Sequence, residues 1–228
     1  MTRNLNFVPN EIYHIYNRGT EKRNIFVTVK DCRRFLCLLY LCNSTIPVDL
    51  KLQGSTLYDL VKIDRRETLV NVISFCLMPN HFHILISEKT DGGISKFMQK
   101  LTTAYTMYFN KSKDRTGALF QGKFKAKHAS ISDNYLKYLV AYIHLNPIKL
   151  LEPEWREEGI KNMRKAEQYL NQYAYSSYLD FIGEDRIEKI ILNKESLPLY
   201  FGEKFENFKD NVEEYLQYKD KNLQGSTL

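Results

Sequence analysis

His81 and His83 stand two apart in the run Met78-Pro-Asn-His-Phe-His83. In an extended strand successive side chains alternate, so this spacing points both imidazoles to one face. Neutral imidazoles placed in this way can share one cation, although a pair of packing histidines gives the same pattern. A second set lies at Tyr138, Tyr142 and Asn146. At about 100° per residue on a helix, these three form a stripe that borders the apolar stripe of Leu136, Leu139, Val140 and Ile143. Tyr142 and Asn146 are neighbours at i and i+4, which places a phenol and a carboxamide oxygen for one shared target, the first as nucleophile and the second as metal ligand. Tyrosines lining a seam between helix and sheet satisfy that spacing equally. His144 lies about 160° around the helix from the centre of the stripe and is left out of the chemistry.

The elements that must position these groups are legible from periodicity. Leu69 to Leu77 (LVNVISFCL) and Phe82 to Ser87 read as two strands of a hairpin joined at Met78, Pro79 and Asn80. Glu11 to Tyr16 alternates as a further strand, with Asn17, Arg18 and Gly19 as its turn, and Lys123 to Ser130 alternates again. Helices are expected over Asp31 to Cys42, capped by Asp31, over Gly93 to Lys111, and from a Ser132 cap to Asn146, where Pro147 stops the last. Val48 to Thr68 is polar and poorly periodic and reads as a surface excursion. Beyond Glu152 the chain turns acidic, with helical stretches near Tyr175 to Ile182 and Glu203 to Lys219. The segment Leu52 to Leu57 (LQGSTL) recurs at Leu223 to Leu228, a repetition without a physical account.

Composition bounds the function classes. A chain of 228 residues with 43% hydrophobic content can bury one sizeable core and is not that of a disordered protein. It has no uncharged apolar run of about 18 residues, and Met1 to Asn10 lacks the basic-then-apolar pattern of a signal peptide, so a cytoplasmic protein without membrane partners is expected. Cys32, Cys37, Cys42 and Cys76 form no CxxC pair and read as reduced packing residues. The net charge of +6 is unevenly spread: residues 1–150 hold 22 Lys+Arg against 11 Asp+Glu, and the remainder 11 against 16. Lys96 to Lys127 alone carries eight basic residues and one acid, Asp114. This basic part is the expected nucleic-acid face, although a solvated basic surface has the same composition.

The order of the motifs is more specific than any one of them. Met-Pro-Asn-His-Phe-His (Met78 to His83), a long helix, Gly117 to Lys125 (GALFQGKFK) and Tyr142-Ile-His-Leu-Asn-Pro147 together resemble the REP-associated tyrosine transposases, single-tyrosine members of the HUH endonucleases. The resemblance also takes in Tyr16-Asn-Arg-Gly19 and Tyr175-Ser-Ser-Tyr178, and so spans most of the chain. It implies an α+β fold, an antiparallel, ferredoxin-like sheet carrying His81 and His83 with helices packed on it. Residues 1–150 would form the HUH-type catalytic domain and residues 151–228 a helical C-terminal extension packed on it or following it. By the same resemblance Tyr142 is the nucleophile, His81 and His83 are metal ligands, and Asn146 stands where the nucleophile helix supplies a third ligand. Insertion-sequence transposases usually have glutamine there, with a longer arm.

The implied function is metal-dependent cleavage and strand transfer of single-stranded or hairpin DNA through a 5′-phosphotyrosine, with Mg²⁺ or Mn²⁺ as the ion. Monomer and homodimer are both open. Arg18, Arg115, Lys123 and Lys125 are the basic residues nearest the resembling motifs, with Phe120 and Phe124 interleaved as stacking platforms or as core. The alternative is a non-catalytic nucleic-acid-binding regulator on the same scaffold. A relaxase or replication initiator fits less well with so short a chain and a single tyrosine motif.

Overall fold

A computed structural model of the chain describes residues 6–47, 56–129, 133–193, 197 and 207–222. Its centre is a four-stranded antiparallel sheet in the order β2-β3-β1-β4. The strands are β1 (Ile12–Arg18), β2 (Val70–Met78), β3 (His81–Glu88) and β4 (Lys125–His128). Each expected strand is present, within a few residues of its expected ends. The helices packed on the sheet are α1 (Val29–Leu41), α2 (Leu57–Leu60), α3 (Gly93–Ser112) and α4 (Asp133–Leu145), followed by α5 (Trp155–Glu158), α6 (Met163–Asn171), α7 (Tyr178–Phe181) and α8 (Phe208–Asn222). The α+β class and the helical C-terminal part expected from sequence are thereby borne out. Among the described residues no helix is long and apolar enough to cross a membrane.

The period of two sorts the strand residues onto two faces. Tyr13, Ile15, Val72, Phe75, Leu77, Phe82, Ile84 and Ile86 join one core with α1 and α3. Ile12, Cys76, Met78 and Leu85 point the other way and meet Leu136, Leu139, Val140 and Ile143 of α4. Here α4 is enclosed on its outer side too, since Tyr215 of α8 stacks on Tyr138 with ring centroids 5.5 Å apart. That enclosure explains why Tyr138 and His144, off the apolar stripe, are nonetheless buried. His144 bonds Asn211 and Ser177, each at 3.1 Å, and ties α4 to the C-terminal part of the chain.

Several local expectations differ. Helix α1 begins two residues before Asp31 because Thr28 is its cap, and Asp31 instead closes the capping box, accepting from the Thr28 amide at 2.8 Å. Within the expected surface excursion, Thr56 and Asp59 form a second box, and α2 buries Leu57 and Leu60 in the α1 core. Ser132 lies outside the described residues, as do residues 48–55 and 223–228, which hold most of both LQGSTL copies. All four cysteines are buried and none is in a disulfide, as composition suggested.

The outer edge of β2 is covered by the chain itself. Leu77 N–H donates to Tyr175 O and Ser177 N–H to Phe75 O, both at 2.9 Å, and Asn193 N–H donates to Val72 O at 2.7 Å. Phe75 N–H also donates to the Ser177 hydroxyl at 2.9 Å. Tyr175-Ser-Ser-Tyr178 is therefore an edge cover whose hydroxyl replaces a strand partner.

Candidate active site

The hairpin turn that precedes His81 is clamped from the β1 side. Gly19 N–H donates to Asn80 O at 2.8 Å, and the amides of Ile25 and Phe26 donate to Pro79 O at 2.8 and 3.0 Å. A Cβ on Gly19 would lie 2.3 Å from Arg23 O, so only glycine allows this approach. Tyr16-Asn-Arg-Gly19 thus places the first histidine of the HxH run.

Pairing carries the placement across the sheet. Tyr16 is opposite His83, Arg18 opposite His81, and Lys125 opposite Tyr16. His14, two residues before Tyr16, shares their face, and its Nε2 lies 2.8 Å from His83 Nδ1. His81 Nδ1 lies 2.6 Å from Asn80 Oδ1, while Asn80 Nδ2 donates to Lys22 O at 3.3 Å. The Asn80 amide is therefore oriented with its oxygen toward the ring, which makes His81 Nδ1 the donor and leaves the Nε2 lone pair free. Burial is the main cause that pushes His14 down to about 3 and His81 to about 4, and burial followed by the neighbouring His14 holds His83 well below the usual range. All three rings are neutral at neutral pH, the form that binds metal.

Helix α4 brings Tyr142 to these histidines. Its ring stands edge-on to His83 at 5.6 Å and to His14 at 6.1 Å. All four line one cleft of about 700 Å³, together with Tyr16, Arg18, Lys22, Lys125, Lys127, Lys149 and Arg156. Tyr138 does not line it; packed under Tyr215, its hydroxyl is raised above the ordinary tyrosine value by burial. Asn146 is fully buried behind the cleft: its Nδ2 donates to Tyr142 O at 2.8 Å and its Oδ1 accepts from Arg156 Nη2 at 2.5 Å. The Arg156 guanidinium also lies over the Tyr142 ring, 4.6 Å from its centroid.

Among the described residues no three His, Cys, Asp or Glu side chains gather to hold a metal ion. Two neutral imidazoles and a carboxamide oxygen are nevertheless a donor set that suits a divalent cation with open positions. His81 and His83 stand at the cleft wall, whereas Asn146 lies buried behind it with its oxygen bonded to Arg156.

The binding residues read from sequence separate in space. Arg18 and Lys125 line the cleft, Arg18 bonded to Gln121, and Lys123 is exposed nearby. Phe124 is half-buried and stacks on Phe7 at 6.3 Å. Phe120 is buried between Phe82 and Tyr105, so its ring offers no face to a base. Arg115 bonds Asn110 near the end of α3 and Ala118 O in its own loop, and does not line the cleft. The basic run is likewise divided: Lys100 donates to Ser44 O and Ile46 O, both at 2.6 Å, and Lys113 sits 3.4 Å from Asp31. Sequence reasoning missed His14, Lys149 and Arg156, and counted Lys127 only within the basic run. The first had a signal, since His14, Tyr16 and Arg18 repeat with the period that singled out His81 and His83.

Comparison with known proteins agrees with the fold. The model of the IS200-like transposase family matches residues 54–146, from α2 to the residue after α4. The resemblance to the tyrosine transposases is borne out. A solved REP-associated tyrosine transposase bound to a REP hairpin is similar in fold, with a TM-score of 0.50 over 82% of this chain and 90% of that one, at 11% identity. No curated protein matches this chain in sequence. The transposase-like segment contains the HxH run and ends on Asn146, whereas His14 precedes it and Arg156 follows it.

Proposed function

We propose that this chain cleaves and rejoins single-stranded DNA, with Tyr142 as nucleophile and with His81, His83 and Asn146 holding Mg²⁺ or Mn²⁺. The observation that carries the reading is the meeting of the Tyr142 and His83 rings at 5.6 Å in a cleft lined by His81 and by cationic side chains. When bound, the cation polarises the scissile phosphate and offsets charge on the departing oxygen. The Tyr142 phenol oxygen attacks phosphorus, a P–O bond to the ring forms, and the bond to the 3′-oxygen breaks. The phenolic proton passes through solvent to that 3′-oxygen. The diester is exchanged rather than hydrolysed, so a 3′-hydroxyl reverses the step without ATP. Asn146 Oδ1 has two lone pairs, one of which accepts from Arg156; in this reading the other would serve the cation once the side chain opens to the cleft.

Arg18, Lys22, Lys125, Lys127 and Lys149 line the cleft, with Lys123 exposed beside it, and these hold the phosphates of the strand, whereas Phe124 packs against the α1 core on the other face of the sheet. The solved relative's REP hairpin supports a hairpin-forming single strand as the partner. Residues 1–150 are the catalytic domain in this reading, and residues 151–228 an extension that completes it by supplying Arg156. The test is a labelled hairpin oligonucleotide incubated with Mn²⁺ or Mg²⁺. A denaturation-resistant adduct is expected from the wild type and from Tyr138→Phe, abolished by chelator. In Tyr142→Phe the adduct falls by at least about 1,000-fold while DNA binding persists. An adduct on Tyr142→Phe, or one mapped to another tyrosine, overturns the assignment; wild-type binding without any adduct favours the non-catalytic regulator.

A further inference from the structure

Two imidazole nitrogens 2.8 Å apart share one proton, because two protons would clash and two lone pairs would repel. The contact between His14 Nε2 and His83 Nδ1 therefore has only two forms. If His14 donates, His83 carries its own proton on Nε2, the nitrogen farther from His14, and has no lone pair to offer there. If His83 donates from Nδ1, its Nε2 lone pair is free. The neighbouring ring supplies a precedent within the same site, since Asn80 Oδ1 holds His81 as the Nδ1–H tautomer.

We propose that His14 is the positioning residue for His83: it accepts the Nδ1–H and so presents the Nε2 lone pair to the same cation as His81. The role rests on the metal reading given above, and His14 touches neither the ion nor the DNA in performing it. Two further contacts hold the acceptor in place. The His14 ring stacks on His83 with centroids 5.0 Å apart and an interplanar angle of 24°, and it lies against Tyr16 at 5.2 Å. The strand register that sets Tyr16 opposite His83 fixes the diagonal offset, so β1 contributes an orienting group that no motif on β3 contains.

The test uses the full chain labelled with ¹⁵N-histidine. In the metal-free wild type, two-bond ¹H–¹⁵N correlations should show His83 protonated at Nδ1 and not at Nε2. Addition of Mg²⁺ should shift Nε2 of His81 and His83 and leave Nε2 of His14 nearly unmoved. His14→Leu should spread His83 over both tautomers and weaken Mn²⁺ binding, read by titration calorimetry, by about 10 to 100-fold. His14→Gln, whose Oε1 accepts the same N–H, should keep the tautomer and most of the affinity. Protonation of His83 at Nε2 in the wild type overturns the proposal, as does His14→Leu binding Mn²⁺ like the wild type or a metal-induced shift at His14 Nε2 itself. Should His14→Leu not fold, the wild-type spectra and His14→Gln decide the matter. A wild type that binds no Mn²⁺ refutes the metal reading instead, while the metal-free spectra still decide the tautomer.

Discussion

The two faces of the sheet are built from the same strands and have opposite characters. Toward α1 and α3, β1 and β3 present Tyr13, Ile15, Phe82, Ile84 and Ile86, every one buried among apolar neighbours. Toward α4, Ile12 and Leu85 join a second apolar core, while the other alternate residues of those strands, His14, Tyr16, Arg18, His81 and His83, open on a cleft. Phe82, between the histidines, packs edge-on with Phe120 at 5.8 Å and lies 5.1 Å from Phe35, while its neighbours in sequence face the opposite way. The pleat lets one run of three residues serve stability and chemistry without either intruding on the other. Positioning therefore comes from the dry face and polarity from the wet one.

The largest expected break in that contrast is at Phe82. Phe82→Ala leaves a cavity in the α1 core and should cost about 3 to 5 kcal/mol of unfolding free energy, measured by urea denaturation, with loss of activity following loss of fold. A Phe82→Ala protein as stable as the wild type would mean that the dry face does not hold the hairpin. His81→Ala should do the reverse: Mn²⁺ affinity falls by at least about tenfold, and stability changes by less than about 1 kcal/mol because the ring is partly exposed. Equal Mn²⁺ affinity in His81→Ala and wild type would falsify the ligand role.

A smaller effect follows from pH. His14 and His81 titrate at about 3 and about 4 in the fold, against the ordinary 6.5, and His83 is also depressed. Below pH 6.5 the unfolded chain takes up protons that the folded chain refuses, so the stability these rings contribute is complete above that value. It declines as pH falls from about 6.5 toward 3. Denaturation midpoints followed over that range should drop in the wild type and drop less in His14→Gln/His81→Gln. Parallel curves would place the acid sensitivity elsewhere. The smallest effect distinguishes cleft lysines from the rest of the basic run. Lys125→Ala and Lys127→Ala should each reduce the log–log salt slope of single-strand binding by about 0.7, whereas Lys96→Ala, exposed on α3, should leave it unchanged. If Lys96→Ala alters the slope as much, the strand runs over α3 and not through the cleft.

What was legible in the sequence was whatever repeats locally. Alternation announced the four strands, and the i, i+4 spacing announced the stripe of α4, because these periods follow from backbone geometry alone. The HxH pair was visible for the same reason. The partnership of His14 with His83 was not, since it depends on which strands pair and in what register, 69 residues apart in the chain. Arg156 was hidden more deeply: it lies on a helix of one turn, in a segment whose composition suggested an acidic appendage, and reaches Tyr142 only through the packing of that segment. Phe120 shows the opposite error. Basic neighbours suggested a stacking ring, but its strand-like bridge to Gly19 turns it into the core. Charge density along the chain also overstated the binding face, because Lys100 is drawn onto carbonyls of the loop after α1 and Lys113 onto a buried carboxylate.

The cover over β2 has a consequence for how this molecule meets other chains. A sheet edge is a row of amide and carbonyl groups at fixed spacing, and any extended peptide can read it. Tyr175, Ser177 and Asn193 spend their backbone groups on that row, and the Ser177 hydroxyl occupies a site where another strand would place its own carbonyl. A second polypeptide seeking to lengthen the sheet must first peel this segment away, so on the β2 side the chain acts as its own competitive inhibitor of aggregation. A protein shortened before Tyr175 would keep every strand and lose that protection, becoming sticky rather than merely unstable.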